Sequence, residues 1–204
     1  MLRGSDEGDG SSHGQVVAPP VRGRKERSSG WLVVEWVAVI AVALVLAIGV
    51  RTYVIQTFWI PSGSMEPTLN PYDRILVLKP AYRFTSPATG DVIVFRAPLA
   101  EHSMCDSPGV SDLVKRIIGT PGETIWSVGS SIYINGHVLD QDWPHVQRIG
   151  QAIQRQTIPP SDYFVMGDNN PNSCDSRVWG YVPRANIIGK VILIFWPISR
   201  LSII

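Results

Sequence analysis

Apolar positions are distributed along this chain in two ways. From Trp31 to Val50, WLVVEWVAVIAVALVLAIGV, they form one run broken only by Glu35. A helix of that length spans roughly 30 Å, the thickness of a bilayer core. The run predicts a membrane-spanning helix over 31–50 rather than a core helix of a soluble domain. A cleaved export signal would have a shorter apolar region followed by small residues. Here Arg51-Thr52-Tyr53 follows, so the segment reads as an uncleaved anchor.

Beyond Arg51 the pattern changes to short β-branched runs bounded by Gly, Pro, Asp or Asn, the mark of strands. Strands are predicted at Tyr53–Ile60, Arg74–Leu78, Asp91–Phe95, Leu113–Ile118, Thr124–Val128, Ser131–Ile134, Tyr163–Met166 and Ile187–Trp196. Asn135-Gly136 predicts a hairpin turn. Val191–Ile198 is too short to cross a bilayer as a helix and reads as a buried strand. Residues 86–109 and 141–160 read as surface loops. Residues 51–204 are therefore predicted to form a mainly β domain, an antiparallel sheet or barrel, on a single N-terminal transmembrane helix.

Charge adds direction. The net charge is only +1, which argues against a nucleic-acid partner. Arg22, Arg24, Lys25 and Arg27 precede the apolar run and only Arg51 closely follows it. That bias predicts a cytoplasmic N-terminus and an extracytoplasmic β domain. Residues 1–30 are rich in Gly and Ser and lack apolar residues to bury, so they are expected to be a disordered cytoplasmic tail.

The stretch PSGSMEPTL, Pro61 to Leu69, crowds two serines into a turn just past the span. A turn is one reading; a nucleophile is the other, and it needs a base. His13 belongs to the tail, and His102, His137 and His145 fall in predicted loops or at a hairpin, so a histidine triad has little support. His102-x-x-Cys105 lacks the second pair of a metal site. A lysine can act as base once burial lowers its pKa from ~10.4. Past the span the chain has Lys79, Lys115 and Lys190. In DLVKRIIG, alternation puts Lys115 on one strand face with Leu113 and Ile117. Snorkelling to the surface is the ordinary fate of such a lysine; a buried base is the alternative. The dense GDNNPNSCDSR stretch reads as a turn-rich loop in which Asp175 and Arg177 could form an ion pair.

Five blocks in series then resemble the bacterial type I signal peptidases: PSGSMEPTL, YDRILVLK, GDVIVF, DLVKRIIGTPGE and GDNNPNSCDSRVWGYVP. The resemblance runs from about Ile40 to the C-terminus. It implies a membrane-bound serine endopeptidase that removes signal peptides from exported preproteins after small residues at −1 and −3, the Ala-x-Ala pattern. It assigns Ser64 as nucleophile and Lys115 as general base, with the Ser62 hydroxyl and the Ser64 N–H in the oxyanion hole. Ser173 would hydrogen-bond and orient the lysine, and Asp175 and Arg177 would form a structural ion pair beside it. The substrate pockets would involve Phe58, Ile60, Met65, Leu69, Ile75, Val94 and Val114. Neither a metal nor a cofactor is implied. The implied partners are signal peptides and the lipid bilayer, with the chain acting as a monomer. Asn170-Pro171 stands where the family often has Arg-Asp or Arg-x, which predicts a differently shaped loop before Ser173. The chain has no room for the extra β-domain and second span of some members, and resembles the family's minimal single-span form.

Cys105 and Cys174 both fall in the predicted outer domain, where disulfides persist, and are expected to be bonded; two unpaired thiols are the alternative. A self-cleaving Ser–Lys peptidase and a catalytically silent membrane-anchored binding module are the competing functions. The first goes with a DNA-binding domain and a cytoplasmic site, whereas this chain is expected to have a membrane anchor and an outer domain. The second has no use for the Ser64 and Lys115 pair.

Overall fold

The computed structural model describes residues 29–105, 111–146 and 148–204. The tail predicted over 1–30 lies mostly outside them. Ser29 and Gly30, assigned to that tail, are helical instead. Helix α1 runs from Ser29 to Tyr53, 25 residues, and its apolar side chains point outward all round. Such a helix has no polar face to give to water and fits membrane anchoring. It outlasts the predicted 31–50 span because the backbone ladder continues to Val54 N–H donating to Val50 C=O. Tyr53 is therefore the last helical residue and not the start of a strand.

Residues Leu44–Ile204 form one compact unit, and Met1–Ala43 cluster separately. The strands, in chain order, are β1 (Ile55–Trp59), β2 (Arg74–Leu78), β3 (Val92–Arg96), β4 (Asp112–Gly119), β5 (Thr124–Val128) and β6 (Ser131–Ile134). They continue as β7 (His137–Val138), β8 (Gln156–Thr157), β9 (Asp162–Met166), β10 (Val182–Pro183), β11 (Ile187–Trp196) and β12 (Ser202–Ile203). Two short helices join them, α2 (Leu99–Met104) and α3 (Ser176–Trp179). The predicted loop over 86–109 thus contains α2, six residues and too short to show a helical period.

Two antiparallel sheets result. The large one has the order β1-β2-β11-β3-β4-β9-β10 with β12 against β11, and the small one has the order β7-β6-β5-β8. Alternation explains how they pack. Val92 and Val94 of β3 face one core with Met65, Leu69, Ile75 and Val191. Ile93 and Phe95 face a second core with Ile117, Val165 and Trp179. On β9, Tyr163 and Val165 join that second core, while Phe164 and Met166 join a third with Ile125 and Ile132 of the small sheet. Strands buried on both faces read as continuous apolar runs, as VIVF and YFVM do.

Candidate active site

Ser64 sits in the connection from β1 to β2. The neck of this loop is closed by the Ile60 N–H donating to the Asp73 C=O at 3.0 Å and the Tyr72 N–H to the Ile60 C=O at 2.8 Å. Met65 and Leu69 are sunk in the core beneath it, tied by the Leu69 N–H donating to the Met65 C=O at 2.9 Å. With its neighbour held inward, Ser64 is left facing the cleft.

Lys115 lies on β4 opposite Ile93 of β3, and is 4% exposed. Snorkelling is blocked, and the Nζ atom is hydrogen-bonded to Ser64 Oγ at 2.7 Å. Burial is the main force on the amine and lowers its pKa from 10.5 to about 8; the Arg177 guanidinium adds to this, while Asp175, Glu101 and Asp168 oppose it. At pH 8 about half of the amine is then neutral, roughly 150-fold more than at an unshifted lysine.

The loop 167–177 closes over the pair. The Asn169 N–H donates to the Ser64 C=O at 3.1 Å, and Asn169 Nδ2 to the Gly63 C=O at 3.0 Å. Asp175 accepts the Gly167 N–H at 3.1 Å and receives Arg177 through Nε and a terminal nitrogen, each at 2.7 Å. The same guanidinium donates to the carbonyls of Ile149, Asn170 and Ser173. The expected Asp175–Arg177 ion pair is therefore present and fully buried on the carboxylate side. Ser173 departs from its expected contact: its Oγ is buried with no hydrogen-bond partner, so it does not bond Lys115 in this structure. Lys115 instead spends its contact on Ser64. Cys105 and Cys174 are joined in a disulfide with their α-carbons 6.1 Å apart, which fastens the residue after Ser173 to the end of α2.

A cleft of about 750 Å³ opens onto this pair. Of the expected pocket residues, Phe58, Ile60, Met65, Val94 and Val114 line it, as does Ser62. Leu69 and Ile75 do not. Both are wholly buried in the core behind the cleft, where they support its wall without reaching its surface. Among the described residues the Ser62 hydroxyl and the Ser64 N–H form no hydrogen bond, and both border the cleft.

Residue patterns missed a second network. Arg116, next to the lysine, is buried and grips Asp168 through Nε at 2.8 Å and a terminal nitrogen at 2.7 Å, and donates to the Gly90 C=O at 2.7 Å. Asp168 also accepts the Thr68 hydroxyl at 2.5 Å, and the guanidinium stacks over Trp143. Thr68, Arg116 and Asp168 come one each from the serine, lysine and loop blocks, so this network welds the three together. Their places within the quoted blocks were the available signal, but alternation alone left Arg116 on an unassigned face.

A serine hydroxyl bonded to a buried, half-neutral lysine at the edge of an apolar cleft can attack a carbonyl, which is the equipment of a serine hydrolase. The family model described as signal peptidase, peptidase S26, matches residues 33–196, and the chain belongs to that family. It is a serine endopeptidase of the signal peptidase I class. A signal peptidase I of Leptolyngbya laminosa is 38% identical over 97% of this chain and 96% of its own length. One of Mycobacterium tuberculosis is 34% identical over 83% of this chain and 74% of its own length. A solved signal peptidase I from Enterococcus faecalis is 31% identical and covers 52% of this chain and 97% of its own, with a TM-score of 0.42.

Proposed function

We propose that this chain cleaves signal peptides from exported preproteins by a Ser64–Lys115 mechanism. The observation that carries the reading is the 2.7 Å contact between Ser64 Oγ and an amine whose pKa burial lowers to about 8. The neutral Lys115 takes the Ser64 proton as the oxygen attacks the scissile carbonyl. Charge developing on the carbonyl oxygen meets the Ser62 hydroxyl and the Ser64 N–H, both of which have donors to spare. Lys115 hands the proton to the departing amine, and water then hydrolyses the acyl-enzyme with the same lysine as base. Asp175 and Arg177 position the loop around the lysine and take no part in proton transfer.

The cleft is walled by Phe58, Ile60, Met65, Val94 and Val114, which supports small apolar side chains at −1 and −3 of the substrate. The basic cluster before α1 supports a cytoplasmic N-terminus and an extracytoplasmic domain. Ser64 lies fourteen residues past Val50, at most ~50 Å even if extended, so cutting occurs close to the membrane.

The test is cleavage of an Ala-x-Ala peptide by the solubilised protein and by Ser64→Ala and Lys115→Ala. Loss in both variants supports the mechanism, and equal rates in all three overturn it.

A further inference from the structure

At the end of α1, a cavity of about 340 Å³ that shares no lining residue with the cleft is bordered by Tyr53, Lys79, Tyr82, Arg83 and Arg184. Three of these are cations and no carboxylate lines the space. Their charges are not spent inside the fold. Lys79 Nζ donates only to the Thr52 C=O at 3.0 Å, the last-turn carbonyl of α1. Arg184 donates to the hydroxyl of Tyr163 and to the carbonyls of Tyr82 and Thr85, all neutral acceptors. The Arg83 side chain is exposed and forms no hydrogen bond or ion pair among the described residues. The nearby Asp91 is already held by Lys190 and Tyr82. Three like charges gathered around one cavity repel each other unless an anion sits among them.

The depth of the cavity identifies the anion. The apolar run of α1 ends at Val50, and Tyr53 on the cavity wall is three residues further, roughly 5 Å along the helix. The headgroup layer on each side of a bilayer core is about 5–8 Å thick, so the cavity lies within it. Two aromatic side chains stand out beside the cavity residues: Tyr53 is 77% exposed, and Phe84, next to Arg83 in the chain, is 90% exposed. A tyrosine standing out from a protein at that depth is typical of a membrane-interface anchor.

We propose that Lys79, Arg83 and Arg184 form a binding site for the phosphodiester headgroup of an anionic phospholipid in the leaflet that the peptidase domain faces. Lys79 and Arg184 present the remaining donors to the phosphate, Arg83 closes over it, and Phe84 and Tyr53 lie against the glycerol and upper acyl chains. The site holds the domain at a defined height and rotation about the end of α1. It rests on α1 crossing the bilayer and not on the peptide-cleaving chemistry.

Native mass spectrometry of the full-length protein in detergent, with equal phosphatidylglycerol and phosphatidylcholine, tests it. The protein is expected to retain phosphatidylglycerol preferentially. Arg83→Gln and Lys79→Gln each lower that retention about five-fold, the worth of one basic residue at an anionic surface, and Arg83→Lys preserves it. Cleavage of a soluble peptide in detergent stays unchanged in all three variants, which separates this site from the cleft. Equal retention of the two lipids, or an unchanged preference in the double Gln variant, overturns the proposal. So does binding of soluble glycerol phosphate as tight as that of the lipid, which would make this a site for free phosphate.

Discussion

The α-carbon of Gly167 faces the carbonyl of Ser64 so closely that any β-carbon there would overlap it and the Ser173 hydroxyl. The backbone carrying the nucleophile is thus packed directly on the loop carrying the ion pair. Gly167→Ala must push one of the two back. A loss of about 1–3 kcal/mol is expected from overpacking. The shift also moves Ser64 against Lys115, so kcat falls by more than the stability loss alone implies. Thermal melting and peptide cleavage on the same variant check this, and unchanged kcat would show that the approach is not needed.

Activity should depend on pH through Lys115. The amine is lowered to about 8, and in the proposed mechanism only its neutral form accepts the Ser64 proton. We expect kcat/KM to rise about tenfold per pH unit below that value and to level off above it. A profile flat from pH 6 to 9 would exclude Lys115 as the base.

The same burial makes Lys115 costly to the fold. Below pH 8 the amine is charged in both states and folding bears the burial penalty in full. Between about 8 and 10.5 the folded amine is neutral while the unfolded one still binds a proton, so stability climbs with pH across that window. The shift corresponds to about 3 kcal/mol. Lys115→Met should therefore abolish cleavage yet raise the melting temperature at pH 7, with the gain shrinking above pH 9. A lower melting temperature at pH 7 would contradict this.

Ser62→Ala removes one of the two proposed oxyanion donors and changes the cleft lining by a single hydroxyl. A fall of roughly 10²–10³ in kcat with KM little changed is expected. Steady-state kinetics on an Ala-x-Ala peptide measure the split, and a rise in KM alone would make Ser62 a ground-state contact.

Arg116→Ala strands the Asp168 carboxylate, which is 2% exposed, without its bidentate partner. Breaking a buried pair from one side costs about 3–5 kcal/mol. Arg116→Lys recovers only part of this, since an ammonium cannot make the two parallel bonds. Denaturant midpoints of the two variants test the order.

The Cys105–Cys174 bond closes a segment of 69 residues. In the chain-entropy model its loss costs up to about 4 kcal/mol. Reduction should lower the melting temperature and reduce kcat, because Cys174 follows Ser173 in the loop over the lysine. A double Cys→Ser variant that melts with the oxidised protein would deny the bond a structural role.

Local chemistry carried much of this protein in its sequence. An apolar run of that length, interrupted only by Glu35, reads as a long helix, so α1 was legible nearly to its ends. Strands Arg74–Leu78, Thr124–Val128, Ser131–Ile134 and Ile187–Trp196 fall where their β-branched runs and flanking turn residues put them. The resemblance named Ser64 and Lys115, and the Asp175–Arg177 pair needs only a two-residue reach. Other features belong to no local stretch. The division into two sheets, the burial of both faces of β3 and the retreat of Leu69 and Ile75 behind the cleft depend on what packs across each strand. So do the Thr68–Arg116–Asp168 weld and the unbonded Ser173 hydroxyl. Alternation states which side chains share a face, but not whether that face meets water, a second sheet or a loop. For Lys115 that distinction decides the chemistry: the sequence put it beside Leu113 and Ile117, and only the tertiary packing around the strand removes the water and lowers its pKa to about 8.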